Sequence, residues 1–286
     1  MSLRRYPLMR GVFHNEFMGS KIDGDKTAVT VLGCPLDTTS SFRSGSKFAP
    51  ESIRKASWTL ETYSPYLKMD LIDMEFTDAG DLELPTGYLL DSLELIESTV
   101  ADLVWNSEKL LVLGGEHLVT YPVMKVVREH FRDVQIVHFD AHCDLRDEYE
   151  GQKFSHATVM NLVRELGITD IFQVGIRSGT KREFDELRLV DSPALLASSL
   201  DRQRPVYITF DMDVFDPSLV PGVATPEPGG LMFKEIMEYL HVLQGMRIVA
   251  ADIVELSPDY DSTFVSSVTA AKVAREMLLL LNSRIE

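Results

Sequence analysis

Long uncharged runs are missing from this chain. No apolar stretch approaches the roughly 20 residues a helix needs to span a bilayer, so no membrane association is expected. Cysteine is scarce. Cys34 and Cys143 stand far apart and make no disulfide framework, and both read as reduced thiols of a cytoplasmic protein. Positive charge is in deficit: 28 Lys and Arg against 44 Asp and Glu leave a formal net charge of −16. Such a chain lacks the basic footprint that phosphate backbones require, which excludes nucleic acid as a partner. Glycine fingerprints for nucleotides are absent too. No Gly-x-Gly-x-x-Gly follows an apolar run and no Gly-x-x-x-x-Gly-Lys-Ser/Thr occurs, which argues against dinucleotide enzymes and P-loop NTPases. The segment Met1 to Pro7 leads into no apolar stretch, so no secretory signal is expected. Repeats, low-complexity tracts and composition breaks are lacking as well. The expectation is one domain over residues 1–286, with residues 1–26 an unpatterned extension wrapping the domain or a neighbouring subunit.

What is present is alternation. Short β-branched runs (Ala28 to Leu32, Leu110 to Leu113, Gln135 to Phe139, Ile171 to Val174, Val206 to Phe210, Ile248 to Val254) are apolar on both faces, as strands buried in a parallel sheet should be. Amphipathic segments lie between them: Asp91 to Asn106, Val119 to Phe131, His156 to Leu166, Lys234 to Leu243 and Phe264 to Leu281. Strand–helix–strand repetition predicts an α/β fold of three layers around a mostly parallel sheet. In such sheets, sites form at the carboxyl ends of strands. The polar clusters of this chain fall there, after Leu113, Phe139, Phe210 and Val254.

The densest cluster is Asp140-Ala141-His142-Cys143-Asp144. Side chains alternate along an extended chain rising about 3.3 Å per residue, so Asp140, His142 and Asp144 are expected on one face and Cys143 away from it. Asp211 and Asp213 share a face by the same parity, and Gly114-Gly115 permits a sharp turn that presents His117. Singly, each motif reads as a cap or a solvated pair. Together, two His and four Asp behind buried strands read as a site for two divalent cations about 3.5–4 Å apart. Mixed imidazole and carboxylate ligation suits Mn²⁺, with Fe²⁺, Co²⁺ or Zn²⁺ as alternatives. Four carboxylates cancel two dications, so any further acid or bound hydroxide makes the site negative, drawing cations and repelling phosphate. A two-metal phosphoesterase would need a Gly-Asn-His-Asp type ligand segment and phosphate-holding cations, and neither appears.

Other histidines carry less. His138 has the parity of Asp140 but lies inside its strand, where a hydrogen-bonded core role is expected. His14, His130 and His241 have no supporting context. His156 follows a polar loop at the start of a helix, and next to a cation site it is a candidate for proton transfer.

These segments resemble the ureohydrolase family, which includes agmatinase and arginase. The resemblance runs through Gly33-Cys34-Pro35-Leu36-Asp37, Gly114-Gly115-Glu116-His117, His138 to Asp144, Val174-Gly175-Ile176-Arg177, Phe210 to Pro217, Thr225 to Gly230 and Asp252 to Pro258. It implies the three-layer α/β/α arginase-like fold and two Mn²⁺ per subunit held by His117, Asp140, His142, Asp144, Asp211 and Asp213. It also implies Glu255 as the guanidinium-binding acid, His156 as a proton-shuttling and substrate-binding residue, and assembly as a homo-oligomer, trimer or hexamer. The departures are Cys143 where Thr is frequent, Ala157 after the histidine, and Val223-Ala224 before Thr225. None removes a candidate ligand.

The implied reaction hydrolyses a guanidinium carbon to urea and an amine, with hydroxide formed between the metals and Asp144 passing a proton to the leaving amine. The loop Leu145 to Ser155 is expected to choose the small-molecule guanidino substrate. Three acids in it (Asp147, Glu148, Glu150) and its agmatinase-like form favour agmatine, giving putrescine. Arg146 and Lys153 keep an acidic substrate such as guanidinobutyrate open, beside guanidinopropionate and arginine. A metal-binding protein without turnover is the non-enzymatic alternative.

Overall fold

The computed structural model describes residues 16–21, 27–106 and 109–283. Its strands, in chain order, are β1 (Val29–Cys34), β2 (Tyr63–Ser64), β3 (Met69–Asp70), β4 (Phe76–Asp81), β5 (Lys109–Gly114), β6 (Gln135–Phe139), β7 (Ile171–Val174), β8 (Val206–Asp211) and β9 (Ile248–Val254). The helices are α1 (Ala49–Ser57), α2 (Leu89–Asn106), α3 (Thr120–His130), α4 (Val159–Glu165), α5 (Lys181–Glu186), α6 (Pro193–Ser199), α7 (Phe233–Val242) and α8 (Val265–Asn282). Seven strands form one sheet in the order β4-β1-β5-β9-β8-β6-β7, and every neighbouring pair in it is parallel. The short β2–β3 pair is antiparallel and separate.

Period-2 alternation splits the apolar runs between two layers. Leu111 and Leu113 of β5 join Val137 and Phe139 of β6 in the core under α1, α7 and α8. Leu110, Val112 and Ile136 face the opposite way, into the core under α2, α3 and α4. A sheet covered on both faces excludes water from its whole backbone ladder, which is why neither side of these strands is solvated and why their few polar residues are buried. Helix α8 is buried almost all round, as its apolar sequence requires. Two of its three charges, Arg275 and Glu276, pair with each other there. No described helix is long and apolar enough to cross a membrane.

The sequence expectations meet the structure closely, with three differences. Edge strand β4 reads Phe-Thr-Asp-Ala-Gly-Asp and has no apolar run, so only its pairing with β1 reveals it. Helices α1, α5 and α6 lie outside the expected set, being short, with α1 and α5 also rich in polar residues. The segment expected as a helix from His156 begins as a 3-10 turn (His156–Thr158) before α4. Of the extension, residues 16–21 pack on the domain itself: Phe17 is buried and its backbone N–H donates to Asp78 at 2.7 Å. Residues 1–15 and 22–26, including His14, lie outside the described residues.

Topology positions the site. The chain builds β1, β4 and β5, jumps to β6 and β7, and returns through β8 to place β9 in the gap. The carboxyl ends of four adjacent strands, β5, β9, β8 and β6, therefore converge where the winding reverses.

Candidate metal centre

Each candidate residue is presented by a short turn at a strand end. After β5, Gly115 lies so close to the preceding loop that a Cβ there would sit 2.0 Å from the Leu36 carbonyl oxygen. Only glycine fits, and the tight turn delivers His117 to the centre. After β6, the Asp140 carboxylate accepts the His142 backbone N–H at 2.5 Å. After β8, Asp211 accepts the Asp213 N–H at 2.7 Å in the same way. The two Asp-x-(His/Asp) motifs thus share one local device, a side-chain-capped turn.

This corrects the reason expected for their alignment. Strand β6 ends at Phe139, so parity along an extended strand does not aim residues 140–144. The turn does, and Asp144 completes it with a left-handed backbone (φ 55°). Glu255 is left-handed as well (φ 64°). Non-glycine residues hold that conformation at a cost, and its occurrence at two candidate site residues marks a backbone bent to aim side chains.

The result is two nests of donor atoms. The His117 Nδ1 lies 3.1 Å from Asp140 Oδ2, 3.1 Å from Asp144 Oδ2 and 3.3 Å from Asp211 Oδ2. The His142 Nδ1 lies 2.9 Å from Asp213 Oδ2 and 3.5 Å from Asp140 Oδ1. Asp140 faces both nests. All six sequence candidates therefore come together, and five of them are buried, His142 being half-buried. His138 also reaches the first nest, but both its nitrogens are engaged: Nε2 with Asp140 Oδ2 at 2.8 Å and Nδ1 with Gln173 Nε2 at 3.0 Å. It supports a carboxylate from behind, as its place in the strand predicts. His130 and His241 are exposed.

Hydrogen bonding tests whether cations fit. Behind His117, the hydroxyls of Thr209, Thr120 and Tyr207 all donate to the buried carboxylate of Asp252. With its own proton committed there, Thr209 Oγ1 accepts from His117 Nε2 at 2.9 Å. The lone pair of Nδ1 then points at three carboxylates, and this buried atom has no hydrogen-bond partner. A lone pair facing anions needs a cation between them.

Electrostatics agrees. Burial, reinforced by neighbouring carboxylates, pushes Asp211 and Glu255 well above the usual carboxylate range and Asp144 up as well. Burial opposes protonation of His117 and His142, but the surrounding aspartates override it and raise both, so without a metal ion a proton on His117 Nδ1 takes the cation's place among the carboxylates. Asp140 goes down despite burial, because His138, His117 and His142 surround it. Charges that strain against one another in this way are relieved by divalent cations, and the hard carboxylate and imidazole donors suit Mn²⁺ or a similar ion.

Glu255 closes the floor. Its backbone N–H donates to the Gly115 carbonyl at 2.8 Å, and its Oε1 accepts the His117 backbone N–H at 2.6 Å. Above it opens a cleft of about 210 Å³, with His156 on one wall beside Ser41, Tyr149, Arg146, Ser178 and Thr225. Burial holds His156 below its ordinary value although Asp144 pulls the other way, so its ring is neutral at neutral pH. Cys143 also reaches this wall, but burial raises its thiol to about 12, which keeps it an unreactive thiol.

The loop Leu145 to Ser155 contributes less than its sequence suggests. Arg146 and Tyr149 line the cleft, whereas Asp147, Glu148 and Glu150 are exposed outside it, Asp147 paired with Arg182. Lys153 is tied to Glu165 at 2.7 Å. Several supporting residues escaped sequence reasoning: Thr39, Glu116, Gln173, Thr209 and Asp252. Asp252 alone had a signal, an acid inside an otherwise apolar strand.

Comparison with known proteins fits this architecture. The chain is 40% identical to an agmatinase of Bacillus subtilis over 275 residues, covering 92% of this chain and 95% of that protein. It is 32% identical to a guanidinobutyrase of Pseudomonas aeruginosa, covering 90% and 87%. The crystal structure of a putative agmatinase from Clostridium difficile superposes with a TM-score of 0.85 at 41% identity, covering 90% of this chain and 98% of that one. The arginase family model matches residues 27–280, a span that includes every strand of the main sheet and every residue of the centre, and the chain is a member of the arginase family.

Proposed function

We propose that this protein is an agmatinase, hydrolysing agmatine and water to putrescine and urea. The observation that carries the reading is the convergence of four Asp and two His around the unpartnered His117 Nδ1, directly above the buried Glu255. His117, Asp140, His142, Asp144, Asp211 and Asp213 are the proposed ligands of two Mn²⁺. When bound, such ions supply Lewis acidity that makes water a nucleophile at neutral pH.

The chain's own residues do the rest. Glu255, with Oε1 held by the His117 backbone, offers its remaining oxygen to the guanidinium as a charge-assisted pair. That pairing fixes the electrophilic carbon over the centre and saves the entropy of finding it. Asp144, forced inward by its left-handed backbone, takes the proton of the attacking water and returns it to the departing amine. His156, neutral and at the cleft wall, exchanges protons between that amine and solvent.

Substrate choice follows from Arg146. Its guanidinium lies over the Tyr149 ring at 4.9 Å and turns toward Glu183 at 3.7 Å. A substrate carboxylate would have to draw it away from that partner, whereas agmatine makes no such demand, in line with the agmatinase likeness. Guanidinobutyrate is the second reading, because Arg146 is a cation on the cleft wall and the guanidinobutyrase is also a relative. Urea release by the Mn²⁺-loaded protein from agmatine, guanidinobutyrate, guanidinopropionate and arginine separates the cases. Agmatine should give the highest kcat/KM. A higher value for guanidinobutyrate overturns the substrate assignment, and no urea from any compound overturns the enzyme reading in favour of a binding protein. The setting we infer is one catalytic domain per chain, assembled as a cytoplasmic homo-oligomer, trimer or hexamer; light scattering reads the subunit count.

A further inference from the structure

Directly before His117 stands a second buried carboxylate that the reaction above does not use. Glu116 is fully buried, and its three partners among the described residues are neutral donors on one dipeptide. Oε2 accepts the backbone N–H groups of Thr38 at 2.7 Å and Thr39 at 2.6 Å, and Oε1 accepts the Thr39 hydroxyl at 3.0 Å. Burying a carboxylate without a cation is costly even when it is hydrogen-bonded.

The Thr39 hydroxyl connects Glu116 to the cleft. With its proton given to Glu116, Oγ1 retains two lone pairs. One accepts the His156 backbone N–H at 3.1 Å, and the other faces His156 Nδ1 at 3.3 Å. Ser155 Oγ, which accepts from the Ala157 N–H, lies 3.3 Å from the same Nδ1. Thr39 Oγ1, with its proton committed, can meet Nδ1 only as an acceptor, whereas Ser155 Oγ can take either role, so both hydroxyls are satisfied together when Nδ1 carries the proton. Nε2 is then left with its lone pair, and its nearest polar neighbour is Ser41 Oγ at 3.5 Å on the cleft wall.

From this geometry we infer that Glu116 and Thr39 are positioning residues that hold His156 as the Nδ1–H tautomer, so that Nε2 accepts the proton it exchanges in the cleft. The arrangement is a carboxylate–hydroxyl–imidazole relay, in which the hydroxyl stands between the orienting acid and the base. It rests on the reading of His156 as the proton-transfer group, and it joins the loop after β1 to the turn after β5 through a single side chain.

Two readouts test it. In ¹⁵N-histidine-labelled protein loaded with diamagnetic Zn²⁺, with His156→Asn used for assignment, the wild type should show the Nδ1–H tautomer at His156. Thr39→Val removes the hydroxyl, and Glu116→Gln turns an amide donor toward Thr39 and its proton toward Nδ1. Both should shift His156 toward Nε2–H. With Mn²⁺ and agmatine, both should lower kcat about tenfold with KM little changed, as loss of an oriented proton-transfer group does. Thr39→Ser keeps the hydroxyl and should restore tautomer and rate together. An unchanged tautomer or an unchanged kcat in Thr39→Val overturns the inference, as does a Thr39→Ser enzyme as impaired as Thr39→Val. The tautomer is read without turnover, so a wild type that releases no urea would overturn the proposed function while the spectrum still decides this relay.

Discussion

Two clusters of buried charge sit on the same sheet, at opposite places in its order. At the edge, Arg54 of α1 meets β4: Nε and Nη2 bind the two oxygens of Asp78 at 2.8 Å each, Nη1 binds Asp81, and Nη2 also donates to the Gly80 carbonyl. Asp78 further accepts the Phe17 and Gly80 N–H groups. In the middle, four aspartates, Glu255 and two histidines crowd together, one ring nitrogen has no partner, and several carboxylates are pushed up by burial and by one another. Both contain Asp and both have a buried heart, which at the edge is Arg54 with Asp78 while Asp81 reaches solvent. The edge cluster is complete within itself, as a structural ion pair must be, because an unpaired buried charge is destabilising. The central one is complete only with a partner from outside. Internal satisfaction, rather than burial or charge, separates a structural cluster from a binding one.

Mutations can break that contrast. Asp140→Asn removes the carboxylate that faces both nests. Urea release should fall on the order of a thousandfold or more, as the loss of several kcal/mol of transition-state stabilisation implies. The metal-free variant should melt below the wild type, since His138, His117 and His142 favour the ionised Asp140 even without cations. Full activity in Asp140→Asn would contradict the centre itself.

Arg54→Met reverses the pattern. Leaving the buried Asp78 without its cation should cost about 3–5 kcal/mol in denaturant unfolding, by the same amount with or without chelator, while the folded fraction keeps wild-type kcat. A chelator-dependent loss would mean that the two clusters are coupled.

Removing the cations from the wild type should cost somewhat less. A ligand held at a hundred times its Kd stabilises by about 2.7 kcal/mol, so chelation should lower the melting temperature, and Asp140→Asn should show little of this shift.

The smallest effect belongs to Asp261, a carboxylate satisfied by neutral donors. Burial works against its ionisation, but the Ser266 and Thr263 hydroxyls and N–H groups override it and lower it to about 2. A folded-state value below the unfolded one stabilises above the unfolded value near 3.9. That contribution is lost as pH falls through about 2. Asp261→Ala should cost about 1 kcal/mol at neutral pH, as a lost helix cap does, and the difference from wild type should close in acid denaturation between about pH 4 and 2. A difference that persists at pH 2 would assign the cost to packing.

Much of this was legible beforehand because the signals were local. Runs apolar on both faces declare a doubly covered parallel sheet, and polar clusters at their ends declare a site there. Edge strand β4 was not legible, since it carries Asp78 and Asp81 for Arg54 rather than an apolar pattern. The Thr39–Glu116–His156 contacts were not legible either, because 77 residues separate the first pair and 117 the second.

The sequence by itself therefore determined which residues could serve as ligands and that they would gather at strand ends, because two His and four Asp all following buried strands have a joint use that none of them has singly. Only the tertiary structure decided how they are aimed. Strand parity placed His142 and Asp144 in line with Asp140, but capped turns and a left-handed Asp144 place them in fact. Whether a buried charge is matched is a property of neighbours brought from distant segments, and folding alone sets the edge cluster in balance and leaves the central one in need of cations.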